Sequence, residues 1–471
     1  MSAPPPSAGE WLRRLRVGEV SAVELARHQL GLLHEVDSRL NAVAAVDDEQ
    51  VLRDAAEADR RRAGGDEGSL LGLPISVKDS LAVAGLPCLT GSVAREGNVP
   101  DTDATVVERV KRAGAVVLAK TTVPEYMWSY ETESVPHGRT LNAFDPARTS
   151  GGSSGGEGAL IGGGGSLLGI GTDGGGSIRV PSHYNGIAGL RPSARLVPET
   201  GCWPSSRETG MLDMAAVGPM ARSVADLALT LGVIAGGDGV DPFVGPAQVA
   251  DYRGVAIAGL RVGIYGDDGA WPATAGTRAA VERAAQALGD AGAHVEEVVP
   301  PPVADAVDMF FKMMAADGGA RARADLAPAG GRHVPQMTWL LENLAQQALS
   351  AGEFFAVLER WAEFRALMQR FISQHDVVIS PVAPGPAPLH GCRPGDDLPV
   401  ETYVPWANAM AHSVAGVPVA VVPVASERGL PLGVHIAAAQ FSDHVALAAA
   451  AAVEEAIGGY AAVSWPLLPH Q

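Results

Sequence analysis

Cysteine is scarce in this sequence. Three residues, Cys88, Cys202 and Cys392, are spread through 471 positions without a CxxC pair. An odd number at such spacing fits neither a disulfide scaffold nor a cysteine-rich zinc site, and reads as the reduced thiols of a cytosolic protein. Basic charge is also short, with 35 Lys and Arg against 53 Asp and Glu and a net charge of −18. That balance lacks the basic footprint that nucleic acid or an anionic membrane surface requires. Long apolar runs are missing. The richest, "VALAAAAAVEEAIGG", meets Glu454 and Glu455 well before the roughly 20 residues of a membrane span. The opening "MSAPPPSAGEWLRRL" has no apolar h-region, so a soluble, cytoplasmic protein without a secretory signal is expected. No Gly-Lys-Ser or Gly-Lys-Thr occurs, which excludes a phosphate loop.

What is present is an ordinary globular composition, 47% apolar and 19% charged, in a chain long enough to bury a large core. Ser21 with Glu24 forms a capping box, and Val23, Ala26, Leu30 and Leu33 recur at helical spacing, predicting a helix over 21–36. A second helix is expected at about 48–62. "LLGLPISVKD" reads as a strand entering a turn. "DATVVERVKRAGAVVLAKT" and "TRAAVERAAQALGDAGAHVEEVV" each read as helix then strand. Further strands are expected at "LRVGIY", "DVVIS", "VPVAVVPV" and "GLPLGVHIA", with a closing helix near 442–457. Such alternation predicts an α/β fold with helices on both faces of a sheet. The stretches 236–260 and 381–402 are loop-like, being rich in Pro and Gly.

Three segments carry candidate chemistry. Lys78 ends an apolar strand in "GLPISVKDS". In "TSGGSSGGEGAL", Gly151, Gly152, Gly155 and Gly156 flank Ser153 and Ser154. In "GTDGGGSIRVPS", Gly174, Gly175 and Gly176 lead into Ser177. Two motifs match these glycines and fail on context. Gly151, Ser153 and Gly155 satisfy G-x-S-x-G, but the preceding "NAFDPARTS" is turn chemistry where a nucleophile elbow needs a strand. Gly169, Gly171 and Gly174 satisfy G-x-G-x-x-G, but Pro181 interrupts the long helix a dinucleotide site needs. Another reading uses all three segments. Consecutive glycines before a serine can aim several N–H groups into one anion-binding concavity. Burial would leave Lys78 neutral and able to take a proton. None of the twelve histidines lies in a Ser-His-Asp arrangement that sequence alone displays.

Together, "GLPISVKD", "SGGSSGGEGALIGGGGSLLGIGTDGGGSIRVPSHYNGIAGLRPS" and "VGPMARSVADLAL" resemble the amidase signature family over nearly the whole chain. The region from "VPEYMWSYET" to "NGIAGLRPS" is most similar to the fatty-acid amide hydrolase branch, without that branch's N-terminal membrane span. The resemblance implies one α/β domain over 1–471 with a mixed central sheet. Its N-terminal helices would span about 8–62 and its signature core about 70–235, and a C-terminal half at about 255–471 would complete sheet and pocket. It also implies a triad of Ser177 as nucleophile, Ser153 as bridge after a cis peptide, and Lys78 as base. The amides of Gly174, Gly175, Gly176 and Ser177 would form the oxyanion hole, braced by Ser154, Asp173 and Arg179. Gly174 stands where relatives often carry an apolar residue, which predicts a looser loop.

Met127 and Trp128 match acyl-pocket positions of the family. The segment 336–372 carries Trp339, Leu340, Leu344, Phe354, Phe355, Leu358, Trp361 and Phe364 in helix-forming sequence. Two helices packing on the core account for these residues as well as a channel wall does. In the resembled branch, helices here border the acyl channel, so Trp339 and Phe355 are candidate lining residues. The expected substrate is a small amide, anilide, carbamate or ester, cleaved without metal or organic cofactor; family analogy allows a homodimer. Two other readings share these residues. One is an amidotransferase A-type subunit releasing ammonia from glutamine for a partner protein, and the other is a non-catalytic binding protein on the same fold.

Overall fold

The central strand segments of this chain are apolar on both sides, and the structure explains why. In the computed structural model, which describes residues 6–268, 272–391 and 407–462, these segments join one mixed sheet. Its strands are β1 (Val43–Ala45), β2 (Pro74–Lys78), β3 (Val116–Thr121), β6 (Leu168–Asp173), β7 (Ala188–Arg191), β8 (Ala216–Ala221), β9 (Arg261–Ile264), β10 (His294–Glu297), β11 (Val377–Pro381), β12 (Val419–Glu427) and β13 (Leu430–Ala438); a separate hairpin holds β4 (Glu133–Ser134) and β5 (Gly138–Arg139). The order across the sheet is β1-β3-β2-β6-β8-β7-β12-β13-β11-β9-β10. Pairing is parallel for β3-β2-β6 and for β11-β9-β10, and antiparallel between. Alternate residues point to opposite faces. Ala420, Val422 and Val424 of β12 therefore join the larger core cluster with helices Ala275–Asp290 and Asp443–Ile457. Val419 and Val421 face the other way, toward helices Ala407–Ala415 and Arg179–Tyr184. The expected fold class is the observed one.

Local signals match the structure closely. The Ser21 and Glu24 capping box starts helix Ala22–Leu40, and helix Asp48–Ala63 follows. The segments before Gly151 and after Ser177 also match expectation. No strand runs into Gly151, where only isolated bridges at Arg148 and Thr149 occur, and a six-residue helix follows the second glycine run. Cys392 and the end of the 381–402 stretch lie outside the described residues. Cys88 is buried and Cys202 partly so, both as free thiols. No helix among the described residues is long and apolar enough to cross a membrane.

The sheet puts the three chemistry-bearing segments together. Strands β2 and β6 are parallel neighbours, with Val77 opposite Ile170. Lys78 and Asp173 therefore emerge at the same end of the sheet. Helix Gly155–Gly162 lies against both strands, bringing Ser153 to that end.

Candidate active site

Lys78 is fully buried, and its Nζ lies 2.7 Å from Ser153 Oγ, 2.7 Å from Thr172 Oγ1 and 3.3 Å from the Thr172 carbonyl. Burial brings its pKa down to about 7 against the opposing pull of nearby acidic groups, among them Asp173 and Glu157. A neutral amine has two N–H donors and one lone pair. As an ammonium, Lys78 donates to all three oxygens; as a neutral amine with both donors on the Thr172 oxygens, it would turn its lone pair to the Ser153 hydroxyl. Thr172 in turn donates its hydroxyl hydrogen to Met127 Sδ at 3.5 Å. Thr172 was missed in the sequence, although it stands inside the "GTDGGGS" motif.

Ser153 follows a cis Gly152–Ser153 peptide. Next to it, Ser154 holds two segments in register. Its N–H donates to the Ser177 carbonyl at 3.1 Å, and its hydroxyl donates to the Thr172 carbonyl at 3.2 Å. The helix that begins just after these serines approaches the end of β3 so closely that a Cβ on Gly156 would lie 2.5 Å from the Thr122 nitrogen. No larger residue fits there. Glu157, one position on, ties the helix to the two strands beneath it. It accepts from Ser76 Oγ at 2.6 Å and from Thr121 Oγ1 at 3.0 Å. Burial pushes the Glu157 carboxyl up to about 7 despite these bonds. This brace went unrecognised in the sequence because its partners lie 81 and 36 residues away.

Asp173 knots the second glycine run. Its carboxylate accepts from the N–H groups of Gly176 at 2.8 Å and Ile178 at 3.1 Å, and from Arg179 Nε at 2.9 Å and Nη2 at 2.8 Å. Burial alone would raise this carboxyl, but the Arg179 charge and hydrogen bonds hold it well below the usual range. Arg179 Nη2 also reaches Ser413 Oγ at 2.6 Å. Gly176 turns at φ +126, where a Cβ would meet the Ala409 methyl at 2.8 Å. Its amide is committed to Asp173, so it differs from its neighbours. The amides of Gly174, Gly175 and Ser177 donate to no acceptor among the described residues. Gly174 does not take positive φ, and a Cβ there would meet the Met211 terminal methyl at 2.7 Å.

The Asp173 and Arg179 pair is wholly buried, and losing Arg179 would leave the Asp173 carboxylate with only the more distant, buried Arg191, whose Nε lies 3.9 Å away. Arg179→Leu is expected to lower stability by about 3–5 kcal/mol, seen as an earlier urea midpoint. An unchanged midpoint would mean that the Asp173 carboxylate finds other partners.

Ser153, Thr172, Gly174, Gly175 and Ser177 all line one cavity of about 460 Å³. Met127, Trp128 and Trp339 line it as well, as do Leu340, Leu344, Phe310 and Met314. Tyr130, also in the wall, donates its phenol hydrogen to the Gly175 carbonyl at 2.8 Å and so fixes that peptide's direction. Phe355 is placed elsewhere. It sits on helix Ala351–Ser373 at 69% exposure and lines no part of the cavity. The inward stripe of that helix is Phe354, Leu358 and Trp361, with Phe364 buried beyond them. Phe355 is one residue, about 100° of turn, off that stripe. Segment 336–372 thus divides, its first helix bordering the cavity and its second packing on the core.

Residues 24–447 match the Amidase family. The chain belongs to that family. Among curated relatives, it is 32% identical over 475 residues to an indoleacetamide hydrolase of Bradyrhizobium diazoefficiens, covering 98% of this chain and 88% of that one. It is also 32% identical over 460 residues to the A-type subunit of the glutamyl-tRNA(Gln) amidotransferase from Desulforudis audaxviator, covering 92% of each. Among solved structures, a bacterial aryl acylamidase of the amidase signature enzymes superposes with a TM-score of 0.86 at 26% identity, covering 96% of both chains. The family's hydrolases act on C–N bonds of amides, and this chain is an enzyme of that class.

Proposed function

We propose that this amidase is a serine hydrolase that cleaves a small carboxamide through an acyl-enzyme on Ser177. Neutral Lys78 takes a proton from Ser153 as Ser153 takes one from Ser177. Ser177 Oγ adds to the carbonyl carbon, and the oxygen that becomes negative is received by the amides of Gly174, Gly175 and Ser177. Each well-placed donor is worth about 3–4 kcal/mol there. Ser153 then hands its proton to the departing nitrogen, and the C–N bond breaks. Water repeats the relay and releases the acid. The observation that carries this reading is the 2.7 Å contact between a fully buried lysine and Ser153.

An amidotransferase reading is weakened by the cavity itself. A free amino acid such as glutamine brings a carboxylate that needs a cation. Among the described residues, no Arg, Lys or His lines this cavity. Purified protein alone is therefore expected to turn over a neutral anilide, with no partner and no glutamine. Absence of turnover until a partner is added would reverse the choice.

The lining also supports a preference for aryl or medium-chain acyl groups over acetamide-sized or charged ones. Each CH₂ buried is worth about 0.8 kcal/mol, so kcat/KM should climb a few-fold per methylene until the cavity fills. The measurement is kcat/KM across straight-chain anilides from acetyl to decanoyl. A flat series, or a best substrate bearing a free carboxylate, would remove the apolar-pocket reading.

A further inference from the structure

One wall of the cavity is unlike the rest. Segment 199–209 contributes Glu199, Cys202, Ser206 and Thr209, and Glu199 is the one carboxylate among the described lining residues. Its hydrogen bonds come from a single neutral residue. Oε2 accepts the Ser206 N–H at 3.2 Å, and the Ser206 hydroxyl also bonds the carboxylate. Arg195, four residues before it, pairs with Asp213, and Arg207, whose charge reaches Glu199 at longer range, is paired with Asp241 at 2.5 Å. Asp241 in turn accepts the Glu199 backbone N–H at 3.1 Å. Glu199 therefore has no ion-pair partner among the described residues, while burial raises its pKa. A carboxylate drawn partly out of water without a partner of opposite charge is unfavourable, and a ligand cation would relieve it.

The position of this wall relative to the relay follows from the chain. Cys202 forms a bridge with Leu81, three residues after Lys78. The wall thus stands beside the lysine that supplies the proton for the leaving nitrogen. On the hydrolase reading, a group carried on the amine half of the substrate would extend along this side.

We propose that Glu199 forms a subsite for a primary ammonium group carried by the amine half of the substrate, so that amides of diamines are a favoured substrate class. The proposal rests on the hydrolase reading for which half of the substrate lies there. It does not rest on it for the binding itself. The Glu199 carboxylate would accept N–H bonds from the ammonium, and would repel an amine half ending in a carboxylate.

The test uses pairs of octanoyl amides whose amine halves end in an amino group or a carboxylate, with spacers of two to six methylenes. Binding of the intact amides to Ser177→Ala protein is measured by calorimetry, which requires no turnover. At the best spacer the amino-terminated amide should bind roughly 10–100-fold tighter, and adding Glu199→Gln should bring the two affinities together. The ratio of kcat/KM in protein with Ser177 intact should collapse likewise with Glu199→Gln. Equal affinities in the Ser177→Ala protein, or a preference that survives Glu199→Gln, would overturn the subsite. If the binding preference is present but no amide or anilide is cleaved, the hydrolase reading fails and the subsite stands.

Discussion

Ser177→Ala is expected to lower kcat for a neutral anilide by roughly 10⁴–10⁶-fold while leaving the thermal unfolding midpoint in place. The two halves of that expectation have separate grounds. Ser177 contributes to the fold through its carbonyl, which receives the Ser154 N–H, and alanine keeps that bond. Its hydroxyl lines the cavity beside the amides of Gly174 and Gly175 and has no other assigned task. Some catalysis over water should survive, because those amides still bind the polarised carbonyl. A loss accompanied by a large drop in the unfolding midpoint would point to misfolding instead.

Lys78→Ala should be nearly as damaging for amides and less so for matched esters. An amine leaves only after receiving a proton, and Ser153 can give one without becoming an alkoxide only if Lys78 resupplies it. An alkoxide or phenolate departs more readily without that help. The pH profile carries a second expectation. The protonated lysine cannot act as base, and burial has lowered its pKa to about 7. Acylation should therefore be full above that value and fall as pH drops through it, far below the roughly 10.4 of a free lysine. Equal losses on matched ester and amide would show that Lys78 does not feed the leaving group. An acid limb near pH 4 would assign the base role to a carboxylate.

The sequence was most informative where signals are local. Capping residues, helix-then-strand segments and the strand ending at Lys78 need only a few neighbours, and they stand where expected. Fold class followed from the alternation of those segments. The placement of β8 between β6 and β7 did not follow, because antiparallel insertion depends on pairing with distant strands. For the candidate site, Lys78, Ser153 and Ser177 stand out through motifs whose order and spacing resemble a family, and the fold brings Lys78 to Ser153 and both serines to one cavity. Their braces do not stand out in the sequence. Glu157 depends on Ser76 and Thr121 arriving from two other strands. Glu199 reads as a loop residue until the cavity wall is seen. Phe355 fell in a segment rich in apolar residues, and composition does not say which side of a helix faces the core.

The most direct test of the account is to treat the protein with a fluorophosphonate, digest it, and locate the adduct by mass spectrometry. A serine activated through Ser153 by neutral Lys78 should take the phosphonyl group at Ser177, in near-stoichiometric yield, and labelling should fall sharply in Lys78→Ala. An adduct on Ser153 or Ser154, with Ser177 unmodified, would contradict the assignment of the nucleophile and the relay built on it.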